Sequence, residues 1–352
     1  MLTSIYEWQT TLWEQLLSDI ENLPHAMILA GPEGLGKLAF AQAFAARLLC
    51  ELQDRAAPAG LPCGRCRSCT WLASGNHPDF RLVQPDEEEP QEENTELARP
   101  APALRKPGQG PIRVEQIRAL NDFVFVGSHC HGKRIAILAP AETMNPAAAN
   151  ALLKILEEPP AGVYFILVTS SWSQLIPTVR SRCRKIAFGR PERALAEKWL
   201  AGEGLKGADE MLQLVGGAPL LAANWAEQGR LETYKKAIEA LSDKPDDPVA
   251  MAAKWSALLK TEQGFTLVQL VEAVQKWIYD LLLLKAVGEL RYHEAWRKKL
   301  ELLATSMSAG GLMTCYQDMF KIKAVVRHPL NTQLLLEDLA TRYLRTIHAG
   351  KN

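Results

Sequence analysis

The stretch from His25 to Leu49 limits the fold more than any other part of the chain. His25-Ala-Met-Ile-Leu-Ala30 is a short apolar run, followed by Gly31-Pro-Glu-Gly-Leu-Gly36-Lys37 and then by an alanine-rich segment punctuated with phenylalanine. Apolar run, glycine loop and strong helix formers in that order predict strand, loop and helix. Gly31, Gly34 and Gly36 let backbone N–H groups face phosphate oxygens, and Lys37 is spaced to reach the terminal phosphates. The next residue in such a loop is normally Ser or Thr, whose oxygen ligates magnesium; here it is Leu38, which has none. Two readings stand: a phosphate loop that has lost a metal ligand, or a glycine-rich strand-to-helix turn that holds nothing.

The surrounding pattern alternates. Residues 8–23 read as a helix, 114–124 as a helix, 134–138 as a buried strand, 146–158 as a helix and 163–169 as another strand. Alternation of this kind indicates a parallel sheet flanked by helices. A hydrolytic phosphate site also needs an apolar strand that ends in carboxylates to hold magnesium and orient water. Arg134-Ile-Ala-Ile-Leu138 supplies the strand but runs into Ala139-Pro140-Ala141, and Glu142 lies beyond a proline that redirects the backbone. Two losses in one mechanism predict that this chain does not hydrolyse ATP at its own loop.

Cys50, Cys63, Cys66 and Cys69 are spaced C-x12-C-x2-C-x2-C, which suits tetrahedral zinc held by four thiolates in a structural role, with no position open for substrate. Redox cysteines and free thiols are the alternatives. Cys130, Cys183 and Cys315 are scattered and read as ordinary thiols. Residues 86–111 are acidic first and then rich in Pro, Ala and Gly, the composition of a mobile surface loop. After Phe188 the strand signals stop. Residues 191–229 read as short helices broken at Gly204, Gly207, Gly216 and Gly217, and the rest as a helical bundle with long apolar periodicities, as in 267–284 and 334–344. At 352 residues the chain is too long for one core. The boundaries fall at 1–188, 189–230 and 231–352.

Composition narrows the function classes. A hydrophobic fraction of 47% without an apolar stretch long enough to span a bilayer, and a start without a basic n-region, predict a cytoplasmic protein. Forty basic residues balance forty acidic ones, so no global electrostatic grip on nucleic acid is expected, although a local basic patch stays open. Ser181-Arg182-Cys183 closes the mixed α/β region, where Arg182 is placed to project from the edge. It is either a solvated or ion-paired surface arginine, or a group that stabilises charge on phosphate bound to a neighbouring subunit.

Asn150-Ala-Leu-Leu-Lys-Ile-Leu-Glu-Glu-Pro-Pro160, Phe165-Ile-Leu-Val-Thr-Ser170 and Ser181-Arg-Cys183, in that order and spacing, resemble the clamp-loader ATPases of bacterial DNA polymerase III. The cysteine module behind the loop helix, His77-Pro-Asp-Phe80 and Asn331-Thr-Gln-Leu-Leu-Leu-Glu337 fit the same resemblance, which covers nearly the whole chain. It implies an α/β AAA+ P-loop-like domain with an inserted zinc module, then an all-α lid and an all-α collar that oligomerises. It also implies a hetero-oligomeric ring within the polymerase holoenzyme, with gamma/tau-type motor subunits and a delta subunit, acting on the sliding clamp and on primer-template DNA. Arg182 would then act in trans on a neighbour's ATP, and Thr169 would occupy the sensor position at a strand end. At the second sensor, Gly217-Ala-Pro-Leu220 carries no arginine, a third loss. Whether ATP still binds at Lys37 stays open, and an active motor subunit or a nucleotide-binding scaffold of the same kind of ring are the rivals.

Lesser features read as structure. Glu157 and Glu158 are adjacent on a helix ended by Pro159-Pro160 and point apart, so they are scaffold rather than a carboxylate pair. His129 and His131 read as exposed turn residues, the tryptophans as core, and residues 291–299 as a solvated helix face.

Overall fold

The computed structural model describes residues 4–52, 60–86, 110–130, 132–205, 207–242, 247–260, 265–326 and 331–348. The expected loop at 86–111 falls almost wholly outside them. The chain divides into two compact units, Met1–Leu195 and Ala196–Asn352.

The first unit is a parallel α/β layer structure. Its elements are α1 (Thr10–Ser18), β1 (Ala26–Ala30), α2 (Lys37–Leu49), α3 (Arg67–Ala73), β2 (Phe80–Val83), α4 (Val114–Phe125), β3 (Arg134–Leu138), α5 (Pro146–Glu157), β4 (Val163–Thr169), α6 (Pro177–Arg180) and β5 (Arg184–Ala187). The strand order is β2-β3-β4-β1-β5, and every pairing is parallel. β1 and β3 are buried at every position, as strands of a sheet covered on both faces are, with Arg134 at the start of β3 the one charged residue among them. The edge strands β2 and β5 are short and mix buried with exposed residues, so no apolar run announces them. Trp13 fixes α1 against α2 by edge-to-face contacts with Phe40 and Phe44 at centroid distances of 5.5 and 5.8 Å. α5 begins at Asn145, whose side chain accepts from the Ala148 amide, with Pro146 at the first helical position.

The second unit is helical: α7 (Arg193–Glu203, which spans the boundary), α8 (Ala208–Leu214), α9 (Pro219–Glu227), α10 (Arg230–Ser242), α11 (Pro248–Leu259), α12 (Leu267–Val287), α13 (Arg297–Ser306), α14 (Ala309–Val325) and α15 (Thr332–His348). Residues of both the expected small helical region and the expected bundle lie in this one unit, where Lys276 on α12 donates to the Leu214 carbonyl at the end of α8 at 2.9 Å. Trp277 donates to the Tyr343 hydroxyl at 3.0 Å, and that hydroxyl donates to Leu241 O at 3.0 Å, so α10, α12 and α15 meet through satisfied buried polar groups. Among the described residues no helix is long and apolar enough to cross a membrane.

The stretch 291–299 is not one solvated helix face. His293 lies fully buried within it. Its Nδ1 donates to Asp280 Oδ2 at 2.9 Å, and its Nε2 faces the Tyr234 hydroxyl at 2.9 Å. Asp280, itself fully buried, also accepts from the amides of Arg291, Tyr292 and His293. Removing that carboxylate strands four donors in the core. Asp280→Ala is therefore expected to cost about 3–5 kcal/mol, read as a lower urea midpoint by tryptophan fluorescence. Burial pushes the His293 pKa below its usual value, against the opposing pull of Asp280. The unfolded chain then gains a proton below about pH 6.5 that the folded chain refuses, so stability present above that pH is expected to fall as the solution is acidified through it.

Candidate functional site

The glycine loop follows β1 at the C-terminal edge of the sheet, flanked by the ends of β4 and β5. Gly34 and Gly36 adopt left-handed φ of 76° and 79°. At Gly36 a side chain would also collide with the Tyr6 ring, 2.7 Å from an added Cβ, and at Gly31 with the Phe188 carbonyl, 2.3 Å away. A segment ahead of α1 fastens the loop from the other side. Gln9 Nε2 donates to Leu35 O at 2.8 Å and Gly36 O at 3.2 Å, and Trp8 Nε1 donates to Leu35 O at 3.2 Å. The backbone has the form of a phosphate cradle leading into the N-terminus of α2.

Its side chains do not complete a magnesium–nucleotide site. Leu38 contributes no oxygen and the end of β3 no carboxylate. Lys37, 5% exposed, turns inward: Nζ donates to the loop's own Pro32 carbonyl at 2.5 Å and to Ser170 Oγ at 3.1 Å. Burial lowers its pKa to about 8, an effect opposed by the charges of Glu142 and Glu33. A 3-10 turn, Ala141–Thr143, follows Pro140 and carries Glu142 to the end of β4, where Oε1 accepts from the Ser170 amide at 3.0 Å. Glu142 thus returns to the loop despite the proline ahead of it. Thr169 is buried at the end of β4; its hydroxyl accepts from the Ser171 amide at 3.1 Å, and its carbonyl accepts from the Gly31 amide at 3.3 Å. The Thr169 hydroxyl serves its own turn, and the neighbouring Ser170 meets the lysine.

Arg182 sits between α6 and β5. Cys183 is buried in the sheet core and anchors the strand start, which leaves Arg182 on the surface with its side chain 33% exposed. Its guanidinium donates to Thr178 O at 3.0 Å and pairs with Glu157 at the end of α5.

The four cysteines converge. Cys50 follows α2, Cys63 and Cys66 precede α3, and Cys69 lies in it. Their sulfurs all lie within 4.8 Å of one another, with Cys50–Cys66 and Cys63–Cys69 each at 3.9 Å. A zinc ion with four Zn–S bonds of about 2.3 Å needs sulfurs about 3.8 Å apart, so the cage fits with little adjustment. Amides of Cys66 and Cys69 donate to the sulfurs of Cys63 and Cys66 at 3.3 and 3.4 Å, favouring thiolates. Against the opposing effect of burial, the amides of Arg65 and Cys66 hold Cys63 down at about 6, whereas burial pushes Cys69 well above the usual thiol range. Crowded thiols resist losing all their protons unless a cation takes up the charge. His77 ties this module to the sheet. Its Nδ1 accepts from the Asp79 amide at 3.0 Å, leaving Nε2 to donate to Ser68 Oγ at 3.2 Å, between two of the cysteines. Asp79, fully buried, holds the turn at 128–130 and pairs with Arg134 at 3.3 Å.

The sequence profile described as DNA polymerase III, delta subunit, matches residues 8–192. The DNA polymerase III subunit delta' of Pseudomonas aeruginosa is 37% identical over 264 residues, covering 73% of each chain. The chain belongs to the delta prime family of DNA polymerase III subunits. The delta prime protein of Haemophilus influenzae aligns over 98% of this chain and 99% of its own at 26% identity. A gamma/tau subunit from Mycobacterium tuberculosis is 31% identical over 57% of this chain and 32% of its own length. The matched profile takes in the glycine loop, the cysteine cage, Thr169 and Arg182 of this delta prime family member.

Sequence reasoning missed four residues that the fold brings to these sites. Ser170 meets Lys37 across 133 residues, and Glu142 meets Ser170 across 28, separations that leave no periodic trace. Glu157, read as scaffold, is the counter-ion of Arg182. Ser68 gives His77 its partner. For Glu157 the signal was available, because it lies within the same motif set as Ser181-Arg182-Cys183.

Proposed function

We propose that this chain is a non-hydrolysing subunit of the DNA polymerase III clamp loader, supporting ATP-dependent loading of the sliding clamp on primed DNA. Its first unit is an AAA+ ATPase-like domain with a structural zinc module; the later helices form a lid and an oligomerising collar. In a ring with gamma/tau-type motor subunits and a delta subunit, Arg182 reaches the γ-phosphate of ATP held by a neighbour. One contrast carries this reading. The chain's own loop has Leu38 and an apolar strand end where a hydrolytic site needs oxygen ligands, while Arg182 stands at the surface on a buried anchor, outside that loop. DNA contacts are made mainly through the assembled ring, consistent with a net charge of zero on the chain itself.

The purified chain is expected to show no ATP turnover. Added to gamma/tau-type and delta subunits, it is expected to raise DNA-dependent ATPase activity and clamp loading. Turnover by the chain alone, or full ring activity without it, would contradict the proposal.

A further inference from the structure

We infer that Glu142 is an internal counter-ion that closes the glycine loop of this chain against nucleotide. Three observations converge on it. Lys37, the residue such a loop aims at phosphate, is buried and turned onto Pro32 O and Ser170 Oγ. Ser170 joins the two charged groups, accepting from the ammonium with its hydroxyl and donating to Glu142 Oε1 with its amide at 3.0 Å. Glu142 Oε2 is buried without a hydrogen-bond partner among the described residues, and the Glu142 charge acts on the buried lysine against its desolvation. A buried ammonium needs compensating negative charge, and here the chain supplies it from Glu142 where an intact loop takes it from phosphate. An incoming triphosphate must break the Lys37–Ser170 contact and also meet a like charge held beside it. Gln9 and Trp8 pin the loop carbonyls of Leu35 and Gly36 from the opposite side, so the backbone has little freedom to yield.

This inference rests on the reading of the loop as non-hydrolysing and gives it a residue-level cause. Glu142→Gln keeps the size and the acceptor for Ser170 but removes the charge. Isothermal titration of the full chain with ATP, with and without magnesium, tests it, and turnover is followed in the same samples. Wild type is expected to bind at the limit of detection, Glu142→Gln at least tenfold more tightly, and the double variant with Lys37→Ala to lose that gain. Affinity equal in wild type and Glu142→Gln overturns the inference, as does a gain that survives Lys37→Ala. Should the amide variant fail to fold by circular dichroism, Glu142→Ala, which also removes the charge, takes its place in the titration, and a gain of the same direction is expected; no gain overturns the inference as well. Turnover by wild type would refute the non-hydrolysing reading instead, so the two failures are separately visible.

Discussion

Replacing Cys66 by serine is expected to release a zinc ion and unfold the module around it. The wild-type chain should carry one zinc per molecule by elemental analysis, and Cys66→Ser far less. In small zinc-bound modules the metal's apparent binding energy, about 10–16 kcal/mol, is largely folding energy. Here part of the structure has other support, because His77 holds Ser68 and Asp79 is fixed on the sheet side. The loss should nevertheless spread through the Ser68–His77 contact to the start of β2, an edge strand with one neighbour. A destabilisation of about 4 kcal/mol in a unit of this size lowers Tm by roughly 8–16 °C. Proteolysis should then cut within residues 60–76 of the variant, and of wild type after chelation. A wild-type chain without zinc, or a Cys66→Ser chain with unchanged Tm and protease resistance, would remove the metal centre from the account.

Arg182→Ala is expected to slow hydrolysis at one site of the assembled ring by about three orders of magnitude or more, the usual worth of an arginine placed on the transferred phosphoryl group. At about 1.4 kcal/mol per tenfold this is at least about 4 kcal/mol of transition-state stabilisation. The stability of the isolated chain should barely change, because the Arg182–Glu157 pair is solvent-exposed and such pairs contribute about 0–1 kcal/mol. Catalytic loss without a thermal shift distinguishes a group acting on a partner's substrate from one that holds this fold together. Arg182→Lys should recover little, since a single ammonium lacks the planar fork that contacts two oxygens at once. Burst kinetics of ATP hydrolysis, read per ring, count the affected site.

The parts of the fold that were legible are those whose cause is local. α2 and the strands β3 and β4 have the limits that the sequence predicts, because continuous apolar runs and alanine-rich segments declare themselves within a few residues. The cysteine cage was legible for the same reason: three of its ligands lie within seven residues and the fourth ends the preceding helix. β2 and β5 were not, since half-exposed edge strands of four residues carry no run long enough to read. Buried polar networks were least legible. Nothing in the spacing of Tyr234, Asp280 and His293 marks them as partners, and His293 lies in a stretch whose charges suggest a solvated surface. Glu142 was judged by the proline before it, whereas the turn after Pro140 decides where its carboxylate goes.

The proposed division of labour gives this chain no hydrolysis at its own loop and has it lend an arginine to a neighbour. Its most direct test is the number of ATP molecules hydrolysed per ring in a single DNA-triggered burst, compared between rings that carry Lys37→Ala and rings that carry Arg182→Ala in this subunit alone. An unchanged burst is expected for Lys37→Ala and the loss of one site's hydrolysis for Arg182→Ala. A lost site with Lys37→Ala and a full burst with Arg182→Ala would place the chemistry in this chain's own loop and contradict the account.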